Sequence, residues 1–519
     1  MKKFNTTAIC IPEKHYMVDI SDKLEQIKAM IVDGAYFTIN RGRQYGKTTT
    51  LYLLEKYIQK EYLCISISFE GVGQTFFASE QDFCHGFIEI ISDNLQFTLS
   101  DENTKSYWKN QTAQTFPELS RAIRDFCENR SVVLMIDEVD KASDFRLFLD
   151  FLGLLRDKFI NRSRGKDHTF QSVILAGVHD IRNIKLKMIQ SGTYEPQNGE
   201  GQYNSPWNIA VDFEVDMSFH PGEIATMLQE YQNERKIRID IHAISHEIYQ
   251  YTSGYPYLVS RICKLIDEKL KKDWSIAGVQ SAVKLILSEK NTLFDDLFKN
   301  LENDKMLYEL LYAILIIGEE RKYSIDVPTI NFASTFGIIK NEDVKVKIAN
   351  RIFEIRICEY FISIDEGADH KPNVLKYDIV KNGRFDMKRC LTKFAEYYEE
   401  IYTEKEATFL EKHCRLLFLT YLRPLINGEG FYHIESGFTD LRRMDLVIDY
   451  NKEQFVVELK IWDGERKHQD AYQQLAGYLE KKNQKTGYLL TFNFNQNRVQ
   501  TKKIASETFG AYEIFDVIL

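Results

Sequence analysis

Gly42, Gly46, Lys47 and Thr48, inside TINRGRQYGKTTT at Thr38–Thr50, have the types and spacing that hold a phosphate chain, with Thr49 beside them. A glycine-bearing turn entering a helix aims several backbone N–H groups at one anion. In such a loop a lysine reaches the β- and γ-phosphates, and the hydroxyl that follows it ligates Mg²⁺. The full pattern has a glycine five residues before Gly46, where this chain has Arg41, so Gly42 is expected to supply the flexibility one residue late. A glycine–lysine–threonine tripeptide is common by chance, and an ordinary βα turn is the plain alternative until its context is read.

A second set lies near the C-terminus. Glu458 and Lys460 are two apart in FVVELKI at Phe455–Ile461, so both emerge on one face of a strand. Asp445 precedes Glu458 by thirteen residues, a hairpin distance, and Gln474 and Tyr478 in QLAGY are four apart, on one helix face. Phosphodiester cleavage uses such a set. Asp445 and Glu458 offer hard oxygens to one or two Mg²⁺ ions. The metal offsets transition-state charge and lowers the pKa of a bound water. Lys460 orients or helps deprotonate that water and stabilises the developing charge. The plain alternative is an exposed Glu/Lys pair on an edge strand.

These residues need elements to hold them. Tyr36–Ile39 is β-rich and Leu51–Ile58 continues at helical spacing after the loop. About ninety residues on, SVVLMIDEVD gives a continuous apolar run, Val132–Ile136, expected for a central parallel strand covered on both faces. Asp137 and Glu138 follow at its carboxyl end, where ligands bind in open α/β sheets. Asp137 there can hold Mg²⁺ and Glu138 can polarise an attacking water. Leu63–Phe69 and Ser172–Ala176 fit the same sheet. The latter runs into His179, a γ-phosphate sensor or a hydrogen-bonded surface histidine.

Farther on, His220-Pro221-Gly222-Glu223 reads as a helix start. Arg261, in PYLVSRICKLI after Gly254-Tyr255-Pro256, is a candidate γ-phosphate contact. A solvent-facing arginine on an amphipathic helix is the commoner case. Lys305–Ile317 reads as helical, and FGIIKNEDVKVKIANRIFEIRI as a short hairpin and helix of a winged-helix-like module. Such modules touch DNA or only bridge domains, and bridging is the reading favoured here. Asp365–Pro372 (DEGADHKP) is the expected linker, and Thr408–Leu422 reads as a helix leading into the last domain.

Composition bounds these readings. Hydrophobic residues make up 44% and aromatics 13% of the chain, ample for several buried cores. The net charge of −9 leaves no global field for nucleic acid, so any such contact needs a local patch. Arg442, Arg443, Lys460, Arg466 and Lys467 form one near the second set. The eight cysteines are scattered singly without a CxxC pair, which argues against a disulfide framework or zinc ribbon and suits a reducing compartment. The start MKKFNTTAICIPEKHY lacks an apolar signal core, and no apolar run is long enough to span a bilayer. A cytoplasmic protein with no membrane partner is expected.

RGRQYGKTTT resembles the GPRQxGKTT loop of bacterial and archaeal AAA-ATPase-like proteins. Asp137, Glu138 and Asp140 match that group's D-E-x-D strand end, Ser205–Ile209 (SPWNI) its S-P-x-N-I segment, and Gly254-Tyr255-Pro256 its G-x-P stretch before a lid helix. The resemblance covers roughly residues 15–290, departs at Arg41, and implies ATP binding and hydrolysis with Mg²⁺. In related ATPases the winged-helix-like module follows the lid. An arginine finger in trans, from Arg41, Arg43 or Arg182, would accompany a homo-oligomer. The last part, roughly 390–519, resembles the PD-(D/E)XK nuclease superfamily in the variety found behind such ATPase domains. Its D, ExK and QxxxY pattern maps onto Asp445, Glu458, Lys460, Gln474 and Tyr478. The resemblance adds an upstream metal-site glutamate, with Glu411 the best match and Glu406 and Glu435 competing.

The expected architecture is therefore α/β and multidomain. A P-loop core spans 1–215, a helical lid 216–290, a winged-helix-like bridge 291–370, and linker helices with a restriction-endonuclease-like domain 371–519. The expected activity is an ATPase module coupled to a Mg²⁺-dependent nuclease, with Mn²⁺ as an alternative metal and DNA ahead of RNA as substrate. The resemblance associates such proteins with defence against foreign DNA. The alternative is a nucleotide-dependent switch or assembly protein whose C-terminal domain binds a partner or nucleic acid without cleaving.

Overall fold

The computed structural model describes residues 1–98, 102–142, 146–178, 207–317, 319–365, 376–381, 383–401, 407–426, 430–435, 444–451, 453–495 and 501–519. The chain forms two compact units. The first comprises Met1–Tyr249, Gly254–Lys264 and the short turn Thr335–Gly337; the second comprises Gln250–Ser253, Leu265–Ser334 and Ile338–Leu519.

The first unit is built on four parallel strands, β1 (Tyr36–Asn40), β2 (Leu63–Ser68), β3 (Val132–Asp137) and β4 (Ser172–Gly177), in the order β1-β4-β3-β2. All six residues of β3 are buried, as are those of β4, which is why both read as continuous apolar runs rather than alternations. Helices at Lys47–Ile58, Glu80–Thr98, Phe116–Cys127 and Arg146–Ser163 supply the covering layers. The apolar stripes of the last three meet in an aromatic core, where Phe151 packs at 5.1 Å from Phe83 and 4.9 Å from Phe87. Trp207 is fully buried, and its indole N–H donates to Thr38 Oγ1 at 2.9 Å. Val211 N–H bonds Tyr36 O at 2.9 Å, so the segment after Trp207 partly covers the open edge of β1.

The helix at Pro221–Arg235 starts as the sequence expects. His220 N–H donates to Glu223 Oε2 at 2.7 Å, half of a capping box. The Pro256–Glu268 helix follows the Gly-Tyr-Pro turn. Gly254 sits at φ +74°, where an added Cβ would stand 2.1 Å from Phe219 O. Only glycine fits that turn.

In the second unit, Lys305–Ile317 is not one regular helix: an α-helix ends at Tyr312 and a π turn takes Ala313–Ile317. The carbonyl of Ile316 accepts from the buried Arg415 at 2.8 Å, a side chain inserted against the ladder of the kind that accompanies π turns. A helix at Pro328–Thr335, the hairpin β5 (Ile339–Glu342) and β6 (Lys345–Ile348), and a helix at Arg351–Asp365 follow in winged-helix-like order. After a two-residue ladder, β7 (Val380–Lys381) with β8 (Arg384–Phe385), comes a six-stranded mixed sheet. Its strands are β9 (Gly430–Glu435), β10 (Met444–Tyr450), β11 (Glu453–Ile461), β12 (Thr486–Phe492), β13 (Lys503–Phe509) and β14 (Tyr512–Ile518), in the order β13-β14-β12-β11-β10-β9. The Glu465–Lys481 helix is the crossover between the parallel strands β11 and β12.

Among the described residues, no helix is long and apolar enough to cross a membrane.

Candidate functional site

The glycine loop lies between β1 and the helix that starts at Lys47. Gln44 and Gly46 take left-handed conformations, φ 59° and 82°, the kind of local backbone from which anion-binding nests are built. The buried Lys47 Nζ donates to Arg41 O at 2.9 Å and Gly42 O at 3.1 Å. Burial holds the Lys47 ammonium below its usual value, opposed by the charges of Glu138, Asp137 and Asp140. Thr48 Oγ1 donates to Asp137 Oδ2 at 2.6 Å, placing two hard oxygens side by side.

Arg41 and Gly42 have structural explanations the sequence lacked. The Arg41 side chain turns away from the loop, donating to Asn40 O at 2.9 Å and Val215 O at 3.4 Å with its guanidinium 5.9 Å from the Phe213 ring. What the loop takes from this position is its carbonyl, so a side chain is tolerated. Gly42 is not left-handed, and it corrects the expectation of a displaced hinge. An added Cβ there would lie 2.5 Å from Phe336 O. Its glycine therefore answers a close approach of the Thr335–Gly337 turn. Gly337 (φ +68°) continues this contact, with an added Cβ 3.2 Å from Tyr45, and Tyr255 OH donates to Arg43 O at 2.7 Å. Gly42→Ala should cost about 1–3 kcal/mol through forced backbone displacement and weaken nucleotide binding. A calorimetric melt and an ATP titration check this; an unchanged melting temperature and Kd would refute the close-approach account.

Next to the loop, a cavity of about 370 Å³ opens between the N-terminal segment, the Lys47–Ile58 helix and the start of the Pro256–Glu268 helix. Ala8, Met17, Leu53, Met227 and Tyr257 give it mainly apolar walls. Thr49 lines it, and its Oγ1 accepts from Cys10 N–H at 3.1 Å. That hydroxyl thus ties the N-terminal segment to the loop helix. The Pro256–Glu268 helix contributes Pro256, Tyr257 and Ser260 to the wall, and Arg261 follows next in sequence, half-buried.

At the end of β3, Asp137 Oδ1 accepts from Glu138 N–H at 2.9 Å, and Glu138 sits at φ 53°. A non-glycine residue in that region carries strain of the kind stored at functional positions. Burial raises the Glu138 carboxyl above its usual value, with a further push from Asp137 and an opposing pull from Lys47. Asp140 Oδ2 accepts from Val178 N–H at 2.5 Å, joining the DEVD turn to the end of β4. His179, Arg182, Ser205, Glu406, Arg442 and Arg443 lie outside the described residues.

In the second unit, Asp445 stands opposite Glu458 in the antiparallel β10–β11 ladder. On its other side Asp445 pairs with Glu435 of β9, so three acidic positions fall in one cross-sheet row. Glu411 lies on the Ala407–Ile426 helix, and its side chain is outside the described residues. Glu458 is buried and forms an ion pair of 2.8 Å with Lys460. Lys460 Nζ also donates to Gln474 Oε1 at 3.4 Å. Tyr478 follows Gln474 by one turn and packs at the margin of the core cluster of Val456, Leu475, Leu479 and Leu489. Arg466 and Lys467 open the same helix, with Lys467 paired to Asp463.

Comparison with known proteins adds families. A model described as an AAA-like domain matches residues 11–361, and one described as the PD-(D/E)XK nuclease superfamily matches residues 431–504. An uncharacterised WD repeat-containing protein of Synechocystis sp. is 22% identical over 281 residues, 51% of this chain. The chain spans about a fifth of the length of that curated relative, 21%. Among solved structures, the Walker-type ATPase PABY2304 of Pyrococcus abyssi aligns with TM-score 0.45 and 14% identity, covering 68% of this chain and 99% of its own. The ORC2 protein of Aeropyrum pernix, in its ADPNP–ADP complexes, aligns with TM-score 0.39 and 11% identity, covering 70% of this chain and 98% of its own.

Proposed function

The chain belongs to the AAA-like domain family and carries a PD-(D/E)XK nuclease superfamily domain, and from that premise we propose that it is an ATP-hydrolysing protein whose output is metal-dependent cleavage of nucleic acid. The observation that carries the reading is the buried Glu458–Lys460 pair, held by Gln474 and standing opposite Asp445 in the sheet.

In the first unit the phosphates of ATP enter the loop between Arg41 and Thr48, and Lys47 exchanges its two carbonyl partners for phosphate oxygens. The neighbouring oxygens of Thr48 and Asp137 suit Mg²⁺, a hard cation that takes oxygen ligands. When bound, that ion neutralises charge developing on the transferred phosphoryl group. Glu138 orients the attacking water and receives its proton. The pH dependence follows from the raised carboxyl. The base works only ionised, so kcat should fall with acidification along a limb centred above the ordinary glutamate range. Glu138→Gln should retain ATP binding and abolish turnover. A pH–rate profile in which wild type holds full kcat down through the ordinary glutamate range would count against Glu138 as the base.

In the second unit Asp445 and Glu458, with Glu411 or Glu435, would hold Mg²⁺ or Mn²⁺, which supplies charge against the transition state of phosphodiester cleavage. The Lys460 ammonium, fixed by Glu458 and Gln474, orients the nucleophilic water and stabilises the developing negative charge. DNA is the preferred substrate in this reading, and ATP occupancy controls access to the site. Purified protein should cleave DNA in a panel of DNA and RNA substrates run with Mg²⁺ or Mn²⁺, with and without ATP. An absence of cleavage under every condition would instead favour a nucleotide-dependent switch that binds without cutting.

A further inference from the structure

A second buried polar cluster lies on the same sheet as Lys460, and neither site uses it. Asp516 of β14 is fully buried. Its Oδ2 meets His468 Nε2 at 2.9 Å, accepts from Tyr472 OH at 2.8 Å and lies 3.1 Å from Lys503 Nζ. The other ring nitrogen of His468 is 3.5 Å from Thr491 Oγ1. Asp516 Oδ1 is buried with no hydrogen-bond partner among the described residues. Burial pushes the Asp516 carboxyl up, but the hydrogen bonds and charge of His468, with Tyr472 and Lys503, outweigh it and hold the group below its usual value.

A cluster of this kind is not the cheapest way to hold a helix on a sheet, because well-packed apolar side chains often do as well or better. What polar groups add is a single register. Apart from this cluster and the Gln474–Lys460 bond, the contact between the Glu465–Lys481 helix and the sheet includes an apolar seam, Ala471, Leu475 and Leu479 against Val456, Leu489 and Ile514. Apolar contacts are non-directional, so such a seam can repack with less loss than a hydrogen-bonded contact can. The polar cluster removes that freedom at the helix's first turns, since His468 and Tyr472 converge on one carboxylate oxygen. Its sheet partners lie in the rows that carry the candidate site. Glu458 pairs with Leu489, which pairs with Asp516, and Lys460 pairs with Thr491. The same helix presents Gln474 to Lys460.

We propose that Asp516 and His468 are positioning residues: they fix the register of the Glu465–Lys481 helix so that Gln474 holds Lys460 against Glu458. The proposal rests on the nuclease reading for its catalytic consequence but not for its geometry. The test uses the full chain with Asp516→Asn, which keeps the side chain's shape, in wild-type and Gln474→Ala backgrounds. Asp516→Asn should lower kcat on DNA by about tenfold or more, as for supporting groups behind ligands, with KM within about twofold. Added to Gln474→Ala it should cost less than about twofold more, because both substitutions break one linkage. A crystal structure of the variant should show Gln474 Oε1 withdrawn from Lys460 Nζ.

Wild-type kcat in the variant, equal losses in both backgrounds, or an unmoved Gln474–Lys460 contact would each overturn the proposal. If wild type cleaves nothing, the nuclease reading fails, and the crystallographic comparison alone decides the positioning role. Should Asp516→Asn not fold, His468→Gln and Tyr472→Phe carry the same comparisons with the same outcomes.

Discussion

Lys460→Ala should lower nucleic-acid cleavage by two to three orders of magnitude, the loss expected when a preorganised charge is removed from a water-excluded site, while ATP turnover continues. Lys460 Nζ lies 2.8 Å from a carboxylate that is itself only 2% exposed. Removing the ammonium does two things: it takes away the group that meets the developing charge, and it leaves Glu458 buried without its counter-ion. Breaking a buried pair from one side is destabilising by about 3–5 kcal/mol where nothing replaces the lost partner. A lower melting transition is therefore expected along with the lost activity. Lys460→Gln, which keeps hydrogen-bonding reach without charge, should lose cleavage with a smaller drop in stability. Retained ATPase activity in the same samples reports that the first unit is folded. Wild-type cleavage by Lys460→Ala would remove this lysine from the chemistry altogether.

Lys47→Ala should abolish ATP hydrolysis by at least about a hundredfold, since a phosphate-cradling lysine acts on the transferring group itself. In the structure Lys47 is buried and bonded to two carbonyls of its own loop. Its loss therefore removes both the phosphate contact and the brace that shapes the loop. Titrating a non-hydrolysable ATP analogue separates binding from chemistry: a weakened Kd reports the lost phosphate contact and brace together, and lost turnover at saturating nucleotide reports the chemistry. An ATPase rate equal to wild type would sink the loop assignment. Measuring DNA cleavage by Lys47→Ala, with and without ATP, then shows whether nucleotide activates or restrains the second unit.

Much of this was legible in the chain because it is local. A strand, a glycine turn and a helix start within Tyr36–Ile58 fix where Lys47 and Thr48 point, and the apolar Val132–Ile136 run announces a central strand that delivers Asp137 and Glu138 to its end. The i,i+2 spacing of Glu458 and Lys460 likewise specifies a shared face from strand geometry alone. The Lys305–Ile317 run is helical as read, but its change of helix type was not legible. Its apolar spacing fits a helix, and the π turn at Ala313–Ile317 accompanies a contact from Arg415, about a hundred residues away.

By itself, then, the sequence determined which donor sets each unit carries, since residue type and short spacing set local geometry. The tertiary structure alone decided why Gly42 must be glycine, which depends on Phe336 approaching its backbone. It also turned Arg41 aside and engaged the Thr49 hydroxyl with Cys10. It set Glu435, Asp445 and Glu458 in one row and brought Asp516 to His468 across 48 positions of chain. The physical reason is common to all of them. Each depends on strand register or on a close approach between distant segments, and these are fixed by the packing of the whole core rather than by any window of the chain.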